Sequence, residues 1–234
     1  MSVSPDTRNS ITTEEAAAIE TIDPARFNAG LLPIRGLSAA TLRARFAEER
    51  EWRREMMGDQ QFEGMDADAG AGYRQASVLV PIVAADSLSL LLTQRTSHLN
   101  SHAGQISFPG GRAEEADADA VDTALREAAE EIGLTRDRVE VIGRLPQYCT
   151  VSRYAVTPVV ALIHPPFKLA PDPNEVAEAF EVPLEFILDP ANHQKRSRPW
   201  EGRTRHFYAM PYGRHFIWGA TAAMLRNFYH FMRA

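Results

Sequence analysis

Cysteine is almost missing from this chain of 234 residues, which holds Cys149 alone. One cysteine can form neither a disulfide within the chain nor a cysteine-based zinc site, which excludes a disulfide framework and a zinc-finger module. The chain also starts without the basic residues and apolar run of a secretory signal. We therefore expect a cytoplasmic location.

Long apolar runs and a surplus of positive charge are missing as well. No run approaches the ~20 apolar residues that a membrane-spanning helix needs, so we expect no membrane partner. The formal net charge is −6, whereas an extended nucleic-acid interface needs a basic footprint to neutralise phosphates. We therefore expect no nucleic-acid partner, and the length is sufficient to bury a real core.

The two ends of the chain differ in composition. Residues 1–72 are polar and proline-containing and finish in a glycine-rich acidic stretch, which predicts an N-terminal extension. Within it, an apolar stripe predicts a helix over Ser38–Met57, capped by Ser38, and a short helix is expected near residues 13–20. Residues 73–234 mix strand-like runs with helical segments, which predicts one domain of the α/β class.

Several elements of that domain can be located from their patterns. Apolar runs on either side of Ala85–Ser87 predict a hairpin, and a second hairpin is expected around Pro211–Gly213. A terminal helix is predicted after Trp218. The basic segment His193–His206 is expected to be a solvated loop, or a flexible basic lip of a binding site. Together these elements suggest an α/β sandwich around a mixed sheet.

Acidic residues are concentrated between Gly110 and Leu134. The helical period runs up to Gly133, a glycine suited to end a helix. Its core-facing stripe consists of Val121, Ala124, Leu125, Ala128 and Ile132.

Three glutamates of this helix share one wedge of its surface. Glu127, Glu130 and Glu131 are spaced i, i+3 and i+4, so they are neighbours whose like charges repel. Arg126 can pair with Glu130 but supplies only one positive charge. Either the wedge is an ordinary solvated face, or it binds a hard divalent cation through its oxygen atoms.

The segment resembles the Nudix box, in which a glycine and a downstream acid precede Arg-Glu-apolar-x-Glu-Glu-x-Gly-apolar. The matching residues are Arg126, Glu127, Ala128, Glu130, Glu131, Gly133 and Leu134. The stretch from Gly111 to Arg126 is one residue longer than the standard box, so the first acid falls on Asp117, one position from its regular offset. This longer spacing is similar to that of the coenzyme A pyrophosphatase branch.

A second stretch carries the same resemblance. "LLTQRTSHLNSHAGQISFPGG", from Leu91 to Gly111, is similar to an additional signature of that branch. Asn100 stands where the branch usually has arginine. The resemblance covers roughly Ser77 to Phe231, and it identifies the chain as a member of the Nudix hydrolase superfamily, with an α/β/α sandwich around a mixed sheet and an N-terminal helical extension.

The resemblance implies a metal-dependent hydrolase that cuts coenzyme A, or a derivative, into 4′-phosphopantetheine and adenosine 3′,5′-bisphosphate. Mg²⁺ or Mn²⁺ would be held by Glu127, Glu131 and Glu130, and by the carbonyl of Gly111. Arg126 would orient a glutamate. The expected partner is therefore a small molecule of the coenzyme A type.

Further roles are assigned as expectations. Glu175 is the candidate base or additional ligand, with Glu178 as its alternative. Arg95 is expected to contact substrate or to pair with a neighbouring acid, and Gly110 and Gly111 to lie along the substrate. The extension helix is a candidate dimerisation element or lid, so a homodimer is one expected assembly.

Two other functions are compatible with these motifs. The first is another Nudix activity, on ADP-ribose, NADH or a nucleoside triphosphate. The second is a Nudix-fold binding module without catalysis. We expect such a module to have lost glutamates of the box, whereas Glu127, Glu130 and Glu131 are all present.

Overall fold

A computed structural model describes residues 19–56, 72–99, 102–200 and 203–234. The helix expected near residues 13–20 and the glycine-rich stretch before residue 72 lie almost wholly outside the described residues, as does Asn100. In chain order the elements are β1 (Thr21–Ile22), α1 (Pro24–Phe27), α2 (Ala39–Ala47), β2 (Arg74–Ala84), β3 (Leu88–Arg95), β4 (Ile106–Ser107), β5 (Gly110–Arg112), α3 (Ala120–Ile132), β6 (Val139–Arg144), β7 (Tyr148–Cys149), β8 (Tyr154–Ile163), β9 (Val176–Pro183), α4 (Leu184–Ile187), β10 (Gln194–Trp200), β11 (Arg203–Tyr212), β12 (His215–Trp218) and α5 (Gly219–Arg233).

Two sheets organise the chain. The larger sheet has eight strands, in the order β4-β3-β2-β8-β6, with β5 paired to β2, β7 to β8 and β9 to β3. The β2–β8 pair is parallel and the other pairs are antiparallel, so the sheet is mixed. The second sheet is antiparallel, in the order β1-β10-β11-β12. The predicted α/β class and mixed sheet are therefore confirmed.

Helices cover both faces of the larger sheet. Successive residues of a strand point to opposite faces, and β2 accordingly sends Leu79 and Val83 towards α3, while Val80 and Ile82 pack on the side of α5. The side of α5 also receives apolar residues of α2, α4 and the second sheet. This arrangement is the expected sandwich. No helix among the described residues is long and apolar enough to cross a membrane.

The helix of the N-terminal extension is shorter than predicted. It runs from Ala39 to Ala47, after a capping box in which Ser38 and Thr41 bond each other's backbone amides. Glu48 is extended, and residues 48–56 continue without regular structure. The prediction up to Met57 was wrong because contacts with α5 override helix propensity. Trp52, for example, packs edge-on against Phe231, with 5.6 Å between the ring centroids.

The basic segment after His193 is a strand and not a solvated loop. Residues Gln194–Trp200 pair with β11 along their whole length, and β1 pairs with the other edge. The partner strand β11 contributes Tyr208 and Met210 to the core. The prediction of a loop was wrong because the many charged residues of this segment are not typical of a strand. The strand is stabilised by pairing with its apolar neighbour β11.

A buried arginine joins the extension to the C-terminal helix. Arg226 of α5 is 1% exposed, and its guanidinium lies 3.2 and 3.3 Å from the two carboxylate oxygens of Glu55. It also donates to Asn28 at 2.9 Å. Tyr208 donates its hydroxyl to Glu55 as well. Burial would raise the pKa of Glu55, but these bonds and His230 outweigh it and hold the pKa well below its usual value.

The ring of His193 completes this cluster in its neutral form. It is fully buried, with Nε2 2.7 Å from the carbonyl of Ile187 and Nδ1 3.0 Å from Nη1 of Arg226. Because a guanidinium can only donate, Nδ1 accepts and the ring proton is on Nε2. Burial, with the nearby charges of Arg226 and His230, lowers the pKa of His193 to about 4.

We expect Glu55→Gln to destabilise the protein by about 3 kcal/mol, because it leaves Arg226 buried without its counter-charge. Glu48→Gln is the matched control, since Glu48 pairs with Arg50 at the surface, and we expect it to cost under about 1 kcal/mol. Urea unfolding at pH 7 measures both. Equal losses would contradict the role of the cluster.

We also expect stability to fall as the pH is lowered through the range set by His193. The unfolded chain takes up this proton below pH 6.5, whereas the folded chain resists it until about pH 4. Protons therefore favour unfolding inside that window. In urea titrations at several pH values, His193→Gln should flatten part of this slope, because glutamine takes up no proton in this range. Its amide can still donate to Ile187 and accept from Arg226, which preserves the cluster.

Candidate active site

The site is built where α3 lies against the short strand β5. Asp119 caps the first turn of α3 by accepting bonds from Val121 and Asp122, at 2.8 and 3.0 Å, and Gly133 ends the helix with a φ of 69°. The predicted apolar stripe packs on the sheet as expected. This orientation brings the next face of the helix alongside Gly110 and Gly111.

Glu127 lies directly over Gly111. A Cβ atom on Gly111 would be only 2.5 Å from Oε1 of Glu127, which is well inside van der Waals contact. The absence of a side chain at Gly111 is therefore what allows the carboxylate to approach the strand. A glycine is therefore needed at position 111 of the motif for a steric reason.

Glu131 is more deeply buried than Glu127, with an exposed fraction of 4%. Its Oε2 accepts from the Gly110 amide at 3.2 Å. Its Oε1 lies 3.6 Å from Nη1 of Arg95, at the end of β3. This contact is the expected pairing of Arg95 with a neighbouring acid. It brings Arg95 beside the helix glutamates.

Glu131, which is buried, and Glu127, which is partly buried, lack sufficient positive charge. The pKa of Glu131 is raised to about 7, mainly by burial and also by the charges of Glu127 and Glu175, while the Gly110 amide and Arg95 oppose the shift. Burial also raises the pKa of Glu127, with Glu130 and Glu175 acting in the same direction and Arg126 opposing it. A cation at this position would relieve that imbalance.

Arg126 acts on the acids around it, as the sequence suggested. Its Nη1 lies 3.1 Å from Glu127 and 3.0 Å from Glu130. Its other nitrogens bond both oxygens of the buried Asp117, at 2.9 and 3.1 Å, and the carbonyl of Arg112 at 3.1 Å. Asp117, whose place in the motif was irregular, therefore fixes Arg126, and this arginine holds the pKa of Asp117 well below its usual value.

The three glutamates do not all face the same space. The side chain of Glu130 is 60% exposed and pairs with Arg126, while Glu127 and Glu131 turn towards β5. Consistently, no set of three or more histidine, cysteine or acidic side chains in the described part of the chain is assembled around a cation position. Glu130 as a third ligand stays a prediction.

The donor set nevertheless suits Mg²⁺ or Mn²⁺. Such ions are often held by one or two carboxylates together with substrate phosphates, and Glu127 and Glu131 supply two carboxylates. Ladder bonds two residues away on each side, from Ala113 to Gln75 and from Leu79 to Pro109, make Gly111 and Ser77 a hydrogen-bonded pair. The carbonyl of Gly111 therefore faces Ser77, and that of Gly110, on the edge facing Glu131, is the better placed backbone ligand.

The loop before β9 brings a further acid to the site. Glu175 lies close enough for its charge to act on both Glu127 and Glu131. The alternative, Glu178, accepts from Arg214 at 2.6 Å and lies 3.3 Å from Nε2 of His215. Of the two sequence candidates, the structure brings Glu175 to the helix glutamates and engages Glu178 in another cluster.

Several other reactive or aromatic side chains lie away from the helix glutamates or in the core. Cys149 is buried in β7, and Phe228 and Tyr229 of α5 are part of the core. His102 bonds Gln105 at the surface. No pattern in the sequence pointed to the bidentate contact of Asp117 with Arg126, since it depends on the path of the loop before α3.

Known proteins share sequence similarity with this chain. A family model described as "NUDIX domain" matches residues 73–201. The chain is 42% identical over 155 residues to the "Uncharacterized Nudix hydrolase NudL" of Escherichia coli (strain K12), a match that covers 66% of this chain and 81% of that relative.

Solved structures of similar proteins are more distant. A MutT/nudix family protein from Enterococcus faecalis has a TM-score of 0.44 and 15% identity, over 83% of this chain and 74% of that one. A C. elegans Ap4A hydrolase binary complex has a TM-score of 0.41 and 19% identity, over 47% of this chain and 80% of that one.

We expect Gly111→Ala to weaken Mn²⁺ binding by at least about tenfold, because the new methyl group displaces Glu127 from the strand. Calorimetric titration of Mn²⁺ measures the affinity. Circular dichroism and urea unfolding of the same sample show whether the fold persists. An unchanged affinity in a folded variant would mean that Glu127 contributes no ligand.

Proposed function

We propose a function from one premise: this chain belongs to the Nudix family, whose domain model matches residues 73–201. As a Nudix hydrolase it acts on a phosphoanhydride. The substrate we propose is coenzyme A or one of its derivatives, cut to 4′-phosphopantetheine and adenosine 3′,5′-bisphosphate. The observation that carries the proposal is the convergence of Glu127 and Glu131 on the Gly110–Gly111 strand, beside Arg95.

Nudix hydrolases generally use divalent metal ions, and in this chain we propose Mg²⁺ or Mn²⁺. Glu127, Glu131 and a carbonyl of the glycine pair would hold the ion together with the substrate phosphates. When bound, it supplies positive charge for the pyrophosphate and acidifies a nearby water. Arg126 keeps Glu127 and Glu130 in place through its bonds to Asp117.

Glu175 is proposed as the group that takes a proton from the attacking water. Its charge acts on the same two glutamates. A carboxylate in this position can accept a proton while Glu127 and Glu131 would hold the cation. Arg95, 3.6 Å from Glu131, would attract a phosphate of the substrate as well as that acid.

The choice of coenzyme A depends on the resemblance of Leu91–Gly111 to the branch signature and on the longer spacing before Arg126. Two features of the structure support giving these stretches a role in the site. Arg95 of the first stretch lies beside Glu131, and Asp117 of the second holds Arg126. A homodimer and a cytoplasmic location stay predictions that accompany this proposal.

The direct test is hydrolysis of a panel of substrates with Mg²⁺ or Mn²⁺, followed by mass analysis of the products. The panel holds free, oxidised and acylated coenzyme A, ADP-ribose, NADH and a nucleoside triphosphate. Coenzyme A or a derivative should be cut fastest. Much faster cleavage of ADP-ribose would overturn the substrate, and metal-dependent binding without any cleavage would indicate a binding module.

We expect Glu131→Gln to lower kcat by at least about 100-fold. The variant would hold the cation poorly, and the positive charge that stabilises the transition state would be lost. Glu178→Gln is the control at a glutamate engaged with Arg214 and His215, and it should retain nearly normal turnover. Near-normal turnover of Glu131→Gln would remove this site from the reaction.

A further inference from the structure

Two consecutive residues at the end of β3 reach two acids of the site. Arg95 extends to Glu131, and Thr96 holds the loop that carries Glu175. The ladder between β3 and β9 shifts register at this point, between Gln94 and Arg95. Such bulges re-aim the residues around them, and here Thr96 leaves the ladder facing the loop.

Thr96 holds both peptide groups that flank Glu175. Its hydroxyl donates to the carbonyl of Asn174 at 3.1 Å, which belongs to the peptide before Glu175. Its backbone amide donates to the carbonyl of Glu175 at 2.9 Å, which belongs to the peptide after it. With both planes fixed, the direction in which the side chain leaves the Cα atom of Glu175 is fixed as well.

The other side of the loop is tied to α3 by main-chain bonds. The amides of Ala170 and Asp172 donate to the carbonyls of Ile132 and Glu131, at 2.8 and 2.9 Å. The amides of Glu175 and Val176 both donate to the carbonyl of Asp172. Within the loop, the carboxylate of Asp172 also accepts from the backbone amide of Asn174 at 2.9 Å. The hydroxyl of Thr96, which is 6% exposed, adds a side-chain bond from β3 to this frame.

We propose that Thr96 is a positioning residue for the reaction, whose hydroxyl sets Glu175 against Glu127 and Glu131. This inference rests on the proposed function, in which Glu175 accepts a proton from water. Thr96 itself touches no reacting atom. Loss of its hydroxyl leaves the backbone bond to Glu175 in place, so the fold persists. The Asn174–Glu175 peptide then keeps only the bond from the Glu175 amide to Asp172, at 3.0 Å, and is held less tightly.

The test compares three variants in the full chain. Thr96→Val removes the hydroxyl and keeps the shape, and Thr96→Ser keeps the hydroxyl. Thr221→Val is the matched control, because Thr221 is also 6% exposed and donates to a backbone carbonyl, that of Ile106, at 3.1 Å. We expect Thr96→Val to lower kcat by about 10- to 100-fold with KM within about twofold.

Thr96→Ser should recover most of this loss, and Thr221→Val should keep the wild-type kcat. In a Glu175→Gln background, Thr96→Val should lower kcat by no more than about twofold, because the group it positions is already inactive. Full additivity of the two changes, or equal kcat losses in the serine and valine variants, would overturn the proposal.

Failure of the proposed function can be told apart from failure of this inference. If the wild-type chain cuts no substrate of the panel, the reaction is wrong, and hydrogen exchange then tests the positioning alone. Thr96→Val should raise the exchange rates of the Glu175 and Val176 amides, whereas Thr221→Val should not. Unchanged exchange in Thr96→Val would overturn the role of the hydroxyl.

Discussion

The contact between Glu127 and the backbone of Gly111 is the constraint on which the site depends. It requires a strand position without a side chain, a helix that ends near Gly133, and an apolar stripe that holds the helix against the sheet. One turn later, the same geometry brings Glu131 to the amide of Gly110 and to Arg95. The result is one buried and one partly buried carboxylate, whose charges the protein alone compensates only in part.

The protein treats its buried acids in two opposite ways. Glu55 receives Arg226, His230 and Tyr208, which keep it ionised and tie the N-terminal extension to α5. Glu131 receives one amide and one distant guanidinium, and burial prevails. An acid with full compensation stabilises the fold, whereas an acid that lacks it is suited to a bound cation. This contrast separates the structural cluster from the candidate active site.

Much of the fold followed from local patterns, because period and turn chemistry are properties of short segments. The hairpin ending at Arg95, the helix ending at Gly133 and the terminal helix are examples. The prediction failed where distant contacts decide the outcome. The helix after Ser38 stops at Ala47 because residues 48–56 pack against α5, and β10 forms because β11 offers it an apolar partner. Asp117 could not be assigned from spacing alone, since the extra residue is accommodated by a loop whose path the sequence does not reveal.

The central claim is that a divalent cation binds between α3 and the Gly110–Gly111 strand, and Mn²⁺-induced broadening of amide signals in NMR tests it most directly. The amides of Gly110, Gly111, Thr96 and Glu175 should broaden at low Mn²⁺ concentrations in the wild-type chain and sharpen again in Glu131→Gln. Signals around Arg226 and His193 should remain sharp in both. Broadening centred elsewhere, or the same broadening in both proteins, would contradict the account.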